Sequence, residues 1–163
     1  MKAAYKSTLN VPAANGWHWN MPSSKPSDAK LRLIVESYQR LTGKPLIPVV
    51  PFATDELRTA LWEAPRAIVA HGTEDDPIFF YGNRLALQLF EMEFDEFTRL
   101  PSRLSAEPMA QQVRNELLEK VSRHGYVDGY SGMRIAKSGR SFRIADTTVW
   151  NLIEENGVQH GQA

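Results

Sequence analysis

No cysteine occurs among the 163 residues, and that one absence removes several chemistries together. Disulfides, thiolate metal sites and cysteine nucleophiles are excluded, and the pattern fits a cytoplasmic protein. Net charge is missing too: 19 Lys and Arg balance 19 Asp and Glu. No overall field therefore draws the chain onto nucleic acid or an anionic membrane, so neither is expected as a partner. No apolar run approaches the ~20 residues needed to span a bilayer. Met1 to Gly16 lacks the apolar core of a secretory signal. Glycine-rich phosphate loops, His-x-x-x-His pairs, zinc spacings and a Gly-x-Ser-x-Gly elbow are all absent. A neutral chain of one-domain size remains, with room for an extension.

The most informative stretch runs from Pro77 to Phe97. Four β-favouring residues, Ile78 to Tyr81, are followed at once by a Gly-Asn break. Leu85, Leu89 and Met92 then recur at helical spacing, as do Ala86, Phe90, Phe94 and Phe97, which predicts one continuous helix. Asn83 stands at its N-cap.

Upstream, residues 1–26 read as an arm without periodicity, except for Trp17-His18-Trp19, whose indoles need a docking surface. Residues 27–65 read as a helical extension. Its first helix has Ser27 as N-cap, an apolar stripe of Leu31, Ile34, Val35, Tyr38 and Leu41, and Gly43 as terminator. Three prolines hold 44–53 extended, and a short helix from Thr54 ends at Pro65. Residues 66–163 form the main domain. Ala67–Ala70 and Ile78–Tyr81 are strands joined by an acidic turn. A helical turn is expected near Ser102, with Arg103 pairing with Glu107. A helix from Pro108 to His124 points Val113, Leu117, Leu118 and Val121 inward. A hairpin, Tyr126–Ala136 and Ser141–Ile153, closes the domain, with a few more strand residues in the tail. In its second strand Phe142, Ile144, Thr148, Trp150 and Leu152 share a buried face, and Arg143, Thr147 and Asn151 a polar one. Gly129 and Gly132 suggest a bulge or close backbone approach. The expected fold is α+β: a PAS-like curved antiparallel sheet of about five strands, with helices over one face and an N-terminal helical extension.

Several runs carry a family resemblance. Glu63-Ala64-Pro65, His71-Gly72, Asp76-Pro77-Ile78-Phe79, Tyr81-Gly82-Asn83, Leu89-Phe90-Glu91-Met92, Pro101 to Pro108, Phe142-Arg143-Ile144 and Val149-Trp150-Asn151 resemble the MEKHLA family. These PAS-related domains occur as stand-alone bacterial proteins, the type suspected here, and at the C-terminus of plant homeodomain–leucine zipper regulators. The resemblance covers about residues 30 to 163. It implies a sensory, ligand-binding or protein-interaction module that signals without its own output domain, and it supplies no catalytic residues. Covalent flavin or coumarate photochemistry needs a thiol and is excluded. Non-covalent flavin, haem or a metabolite stays open, so the cofactor is unknown.

An apolar pocket between sheet and helix would be lined by Tyr81, Asn83, Phe90, Arg143 and Trp150, and would take a small apolar or aromatic ligand. Tyr130, Arg134 and Arg143 offer charge and hydrogen bonds to an anionic head group, although exposed strand arginines are usually solvated. The same aromatic residues also serve simply as core. The alternative is a small lyase- or isomerase-type enzyme using His71 with Glu74, Asp75 and Asp76; an acidic turn explains the same residues. His124 lies where an iron ligand or an ordinary helix C-cap would stand. The leading helix suggests a homodimer or a protein partner.

Overall fold

The computed structural model describes residues 26–48 and 54–163. Nearly all of the expected arm, with Trp17-His18-Trp19, lies outside the described residues, as does the end of the proline-rich connector. The first helix, α1, spans Asp28–Thr42. Ser27 caps it by accepting from the Lys30 N–H, and Gly43 at φ 70° closes it. Leu31, Ile34, Val35 and Tyr38 are buried. Helix α2, Thr54–Trp62, buries Leu57 and Leu61.

Strands β1, Val69–His71, and β2, Phe79–Gly82, pair antiparallel. Asn83 follows, fully buried, with every polar atom engaged. Its Oδ1 accepts from the N–H groups of Ala86 at 3.1 Å and Ile68 at 3.0 Å, and its amide donates to the carbonyls of Leu61 and Arg66. One side chain thus starts α3 (Arg84–Phe90) and ties it to β1 and α2.

The single helix expected through Phe97 is instead two. Helix α3 stops at Glu91, which sits in the left-handed region at φ 58°, and α4 is the short turn Phe94–Phe97. The cause is a long-range contact. Arg140 donates to the Glu91 carboxylate at 2.8 Å and to the Leu89 carbonyl at 3.0 Å, while the Lys137 N–H takes the Phe90 carbonyl. The tip of the C-terminal hairpin holds the break open.

A 3-10 turn at Ser102–Ser105 leads to α5, Pro108–His124. Arg103 pairs with Asp76, not with Glu107 as expected; Glu107 accepts from Ser141. Strands β3 (Tyr126–Ile135), β4 (Ser141–Ile153) and β5 (Gln159–Gln162) complete an antiparallel sheet in the order β2-β1-β5-β4-β3. Helices α3 to α5 lie over its inner face and α1 over the outer one. Lys30 of α1 stands 4.5 Å over Phe80, whereas the neighbouring Phe79 stacks on Phe97 at 4.4 Å.

Two bulges shape the hairpin. Gly129, at φ 70°, interrupts pairing in β3. Asp146, at φ 56°, interrupts it in β4 and corrects the expected face assignment. Before the bulge, Phe142 packs inward on Phe90 at 5.1 Å; after it, Trp150 packs outward on Tyr38 at 4.9 Å. Phe142 and Trp150 therefore lie on opposite faces. Asn151, expected on a solvated side, is buried beneath α5 and donates to the Val121 carbonyl at 3.0 Å.

Candidate functional site

Between β1, β4 and the inner helices lies a cleft of about 600 Å³. Its apolar wall comes from Leu85, Leu89 and Phe90 of α3, Leu117 and Leu118 of α5, and Phe142 and Ile144 of β4. Beside it, β5 pairs with β4 at Asn151 to Ile153, Trp150 exchanges both backbone hydrogen bonds with Ala163, and among the described residues β5 meets β1 at His71 alone. The cleft also reaches Tyr38, Trp150 and Ala163.

The polar lining is mixed, with the cations of Arg66, Arg114, Arg134 and Arg143, the exposed carboxylate of Asp146 and several neutral groups. Arg114 of α5 is 6% exposed and donates to the Ser102 hydroxyl at 2.8 Å. No carboxylate forms an ion pair with it among the described residues. Burial, and secondarily the neighbouring Arg134 guanidinium, lower its pKa to about 10, so it remains charged at neutral pH. His71 is also buried on the wall, its Nδ1 3.0 Å from the Gly72 carbonyl. Desolvation holds its pKa below the ordinary value, which favours the neutral imidazole.

The expected site residues divide. Phe90, Arg143 and Trp150 line the cleft, although Arg143 is largely exposed. Asn83 does not line it, because its hydrogen bonds are all used in the scaffold. Tyr81 is absent from the wall as well. Its buried hydroxyl has no partner among the described residues, and burial drives its pKa upward. None of the acids expected around His71 hydrogen-bonds to it: Glu74 acts on it only through its charge and accepts from the Ile78 N–H, Asp76 holds Arg103, and Asp75 is exposed. His124 is exposed at the end of α5 and off the wall.

Arg114 is the residue that sequence reasoning missed. Val113, expected inward, is 59% exposed, and the buried stripe of α5 is Arg114, Leu117 and Val121. The signal was present: a charged residue at an inward position of a three-and-four spacing.

The MEKHLA domain family model matches residues 28–163. The chain belongs to the MEKHLA domain family. It is 22% identical over 144 residues to the homeobox-leucine zipper protein ATHB-9 of Arabidopsis thaliana, covering 86% of this chain and 17% of that protein. Against HOX9 of Oryza sativa subsp. indica the figures are 25% over 130 residues, 79% and 15%. The MEKHLA domain thus spans about a sixth of the length of these relatives. Among solved structures, a PAS domain from Colwellia psychrerythraea superposes with a TM-score of 0.58 at 16% identity, covering 66% of this chain and 89% of that one. A light-oxygen-voltage domain studied with a flavin analogue gives 0.53 at 18%, covering 66% and 83%. The light-state dimer of the fungal blue-light photoreceptor Vivid gives 0.52 at 14%, covering 90% and 96%. Family and fold agree on a MEKHLA domain built as a PAS-type module.

Proposed function

We propose that this MEKHLA domain is a non-enzymatic sensory module that takes a small apolar or aromatic ligand in the inner cleft. Occupancy is relayed by movement of α3 to α5 against the sheet, to a partner protein or a second copy. The observation that carries the reading is the cleft itself: a concave, mostly apolar space with few polar groups is what a small-molecule site requires, and its volume falls within the usual range of ~300–1,000 Å³. The structural likeness to ligand-binding PAS-type folds supports it. A cysteinyl adduct is excluded by composition.

The homodimer belongs to the same reading and is supported by the dimeric Vivid neighbour. It requires a surface other than the apolar stripe of α1, which is already buried against β4. A cytoplasmic site of action fits the lack of cysteine, and no described helix is long and apolar enough to cross a membrane. The lyase or isomerase alternative draws little support, since no acid is hydrogen-bonded to His71 among the described residues and only the charge of Glu74 acts on it.

Native mass spectrometry of the freshly purified chain tests both parts. A small-molecule adduct on a dimer is expected. An adduct-free protein that also fails to bind the apolar fluorophore 1-anilinonaphthalene-8-sulfonate would overturn the ligand reading, and a monomer would overturn the dimer.

A further inference from the structure

A buried guanidinium without an anion is costly, because its charge leaves water and only opposite charge or several hydrogen bonds repay the loss. Arg114 is in that position. It is 6% exposed, and among the described residues one of its five donors reaches an acceptor, the neutral Ser102 hydroxyl. The charged groups around it do not pair with it among the described residues: Asp146, a carboxylate on the cleft wall, is exposed and makes no ion pair with Arg114. Arg134, which pairs with Phe142 across the hairpin and so shares the inner face, is a second cation. Asp76 acts on Arg114 only weakly and is paired with Arg103 at 3.1 Å, and Glu107 is engaged by Ser141. His71, on the same wall, adds no negative charge. The inner end of the cleft is therefore a positively charged terminus to an apolar slot, and the Arg114 nitrogens left without a protein partner among the described residues face the open cleft.

We propose that this end is a carboxylate site, in which Arg114 holds the anionic head of a small ligand whose apolar body lies along Leu89, Phe90 and Leu117. A carboxylate matches the planar fork of the guanidinium and accepts two of its free N–H groups. Arg134 completes the field from the sheet side. The occupant is thus an amphiphilic aromatic or aliphatic monocarboxylate, not a neutral hydrocarbon. This inference rests on the ligand-binding reading of the cleft and narrows it to a charge class.

The rival account of Arg114 is architectural: it would simply tie α5 to the Ser102–Ser105 turn. The two accounts differ in stability and in binding. Calorimetry on the full chain compares 3-phenylpropanoate with 3-phenylpropanol, which share an apolar body and differ in charge. The carboxylate is expected to bind at least about tenfold more tightly, the scale of a hydrogen-bonded charge. Arg114→Met, close in volume, should erase that preference, keep the affinity for the alcohol, and leave the unfolding midpoint unchanged or raised. Equal binding of both compounds to the unmutated chain overturns the carboxylate site and leaves the small-ligand reading standing; binding of neither overturns both. A lowered unfolding midpoint in Arg114→Met, with the carboxylate preference intact, establishes the architectural role instead. Should that variant not fold, the Arg114 Nε–H resonance of the unmutated chain decides: it shifts on addition of 3-phenylpropanoate but not of the alcohol, and a silent resonance contradicts the proposal.

Discussion

The two faces of the sheet solve the burial of polar groups in opposite ways. On the outer face, beneath α1, the Trp150 indole N–H donates to the Ser37 hydroxyl at 3.2 Å, and the ring packs edge-on against Tyr38. Leu31, Ile34 and Val35 close around them at no more than 2% exposure. That face is apolar and its polar groups are satisfied, with the cleft reaching only its edge at Tyr38 and Trp150. On the inner face the C-terminal half of α5 is treated similarly: the Gln162 amide reaches Leu118, Ser122 and Asn151. Its N-terminal half is not. There Arg114 and His71 stand on the wall of a cleft with donors and acceptors to spare. One sheet carries a face that stabilises and a face that remains partly unfilled, and the second is where a ligand gains most.

Variants that should break this contrast can be ranked by effect. Trp150→Ala empties the centre of the outer face and should cost about 3–5 kcal/mol in urea unfolding, the usual range for a buried tryptophan. A loss near 1 kcal/mol would mean that the outer face is not the stabilising one. Asn83→Ala removes a helix cap and leaves the buried Ile68 N–H unpaired, so about 2–4 kcal/mol should be lost. Because Asn83 is scaffold, apolar-probe affinity should survive in the fraction that remains folded. Arg114→Met should shift stability by less than about 1 kcal/mol, or raise it, since an uncompensated buried charge is exchanged for apolar volume. A loss comparable to Trp150→Ala would erase the distinction between the faces.

The smallest effect concerns pH. Burial lowers the folded-state pKa of His71 below its ordinary 6.5. Between those two values the unfolded chain binds the proton more readily than the folded one, so stability falls as pH drops below about 6.5 and levels off below the folded pKa. Chemical unfolding of His71→Gln between pH 5 and 7 (range chosen about the histidine pKa) should show a flatter slope than the parent. An unchanged slope would place the titration elsewhere.

Much of the fold was legible because its signals are local. Ser27, Gly43 and Asn83 mark helix ends through residue type alone, and Gly129 marked a bulge. The misreadings share a different origin. Helix α3 breaks at Glu91 because Arg140, 49 positions later, captures that carboxylate. Strand β4 changes face at Asp146, a residue that tolerates the left-handed region without announcing it, so alternation counted through it places Phe142 and Trp150 together. At the candidate site the apolar members Phe90 and Trp150 were foreseeable from aromatic content. Arg114 was signalled only by a charge at an inward position, which a hydrophobic template discards in favour of its neighbour Val113.

The most direct test is a titration of the isotopically labelled chain with 1-anilinonaphthalene-8-sulfonate, followed by two-dimensional NMR. The account predicts shifts confined to the inner cleft, at Leu89, Phe90, Leu117 and Ile144, with Leu31 and Ile34 of α1 unmoved. Shifts centred on α1, or no saturable shifts at all, would contradict it.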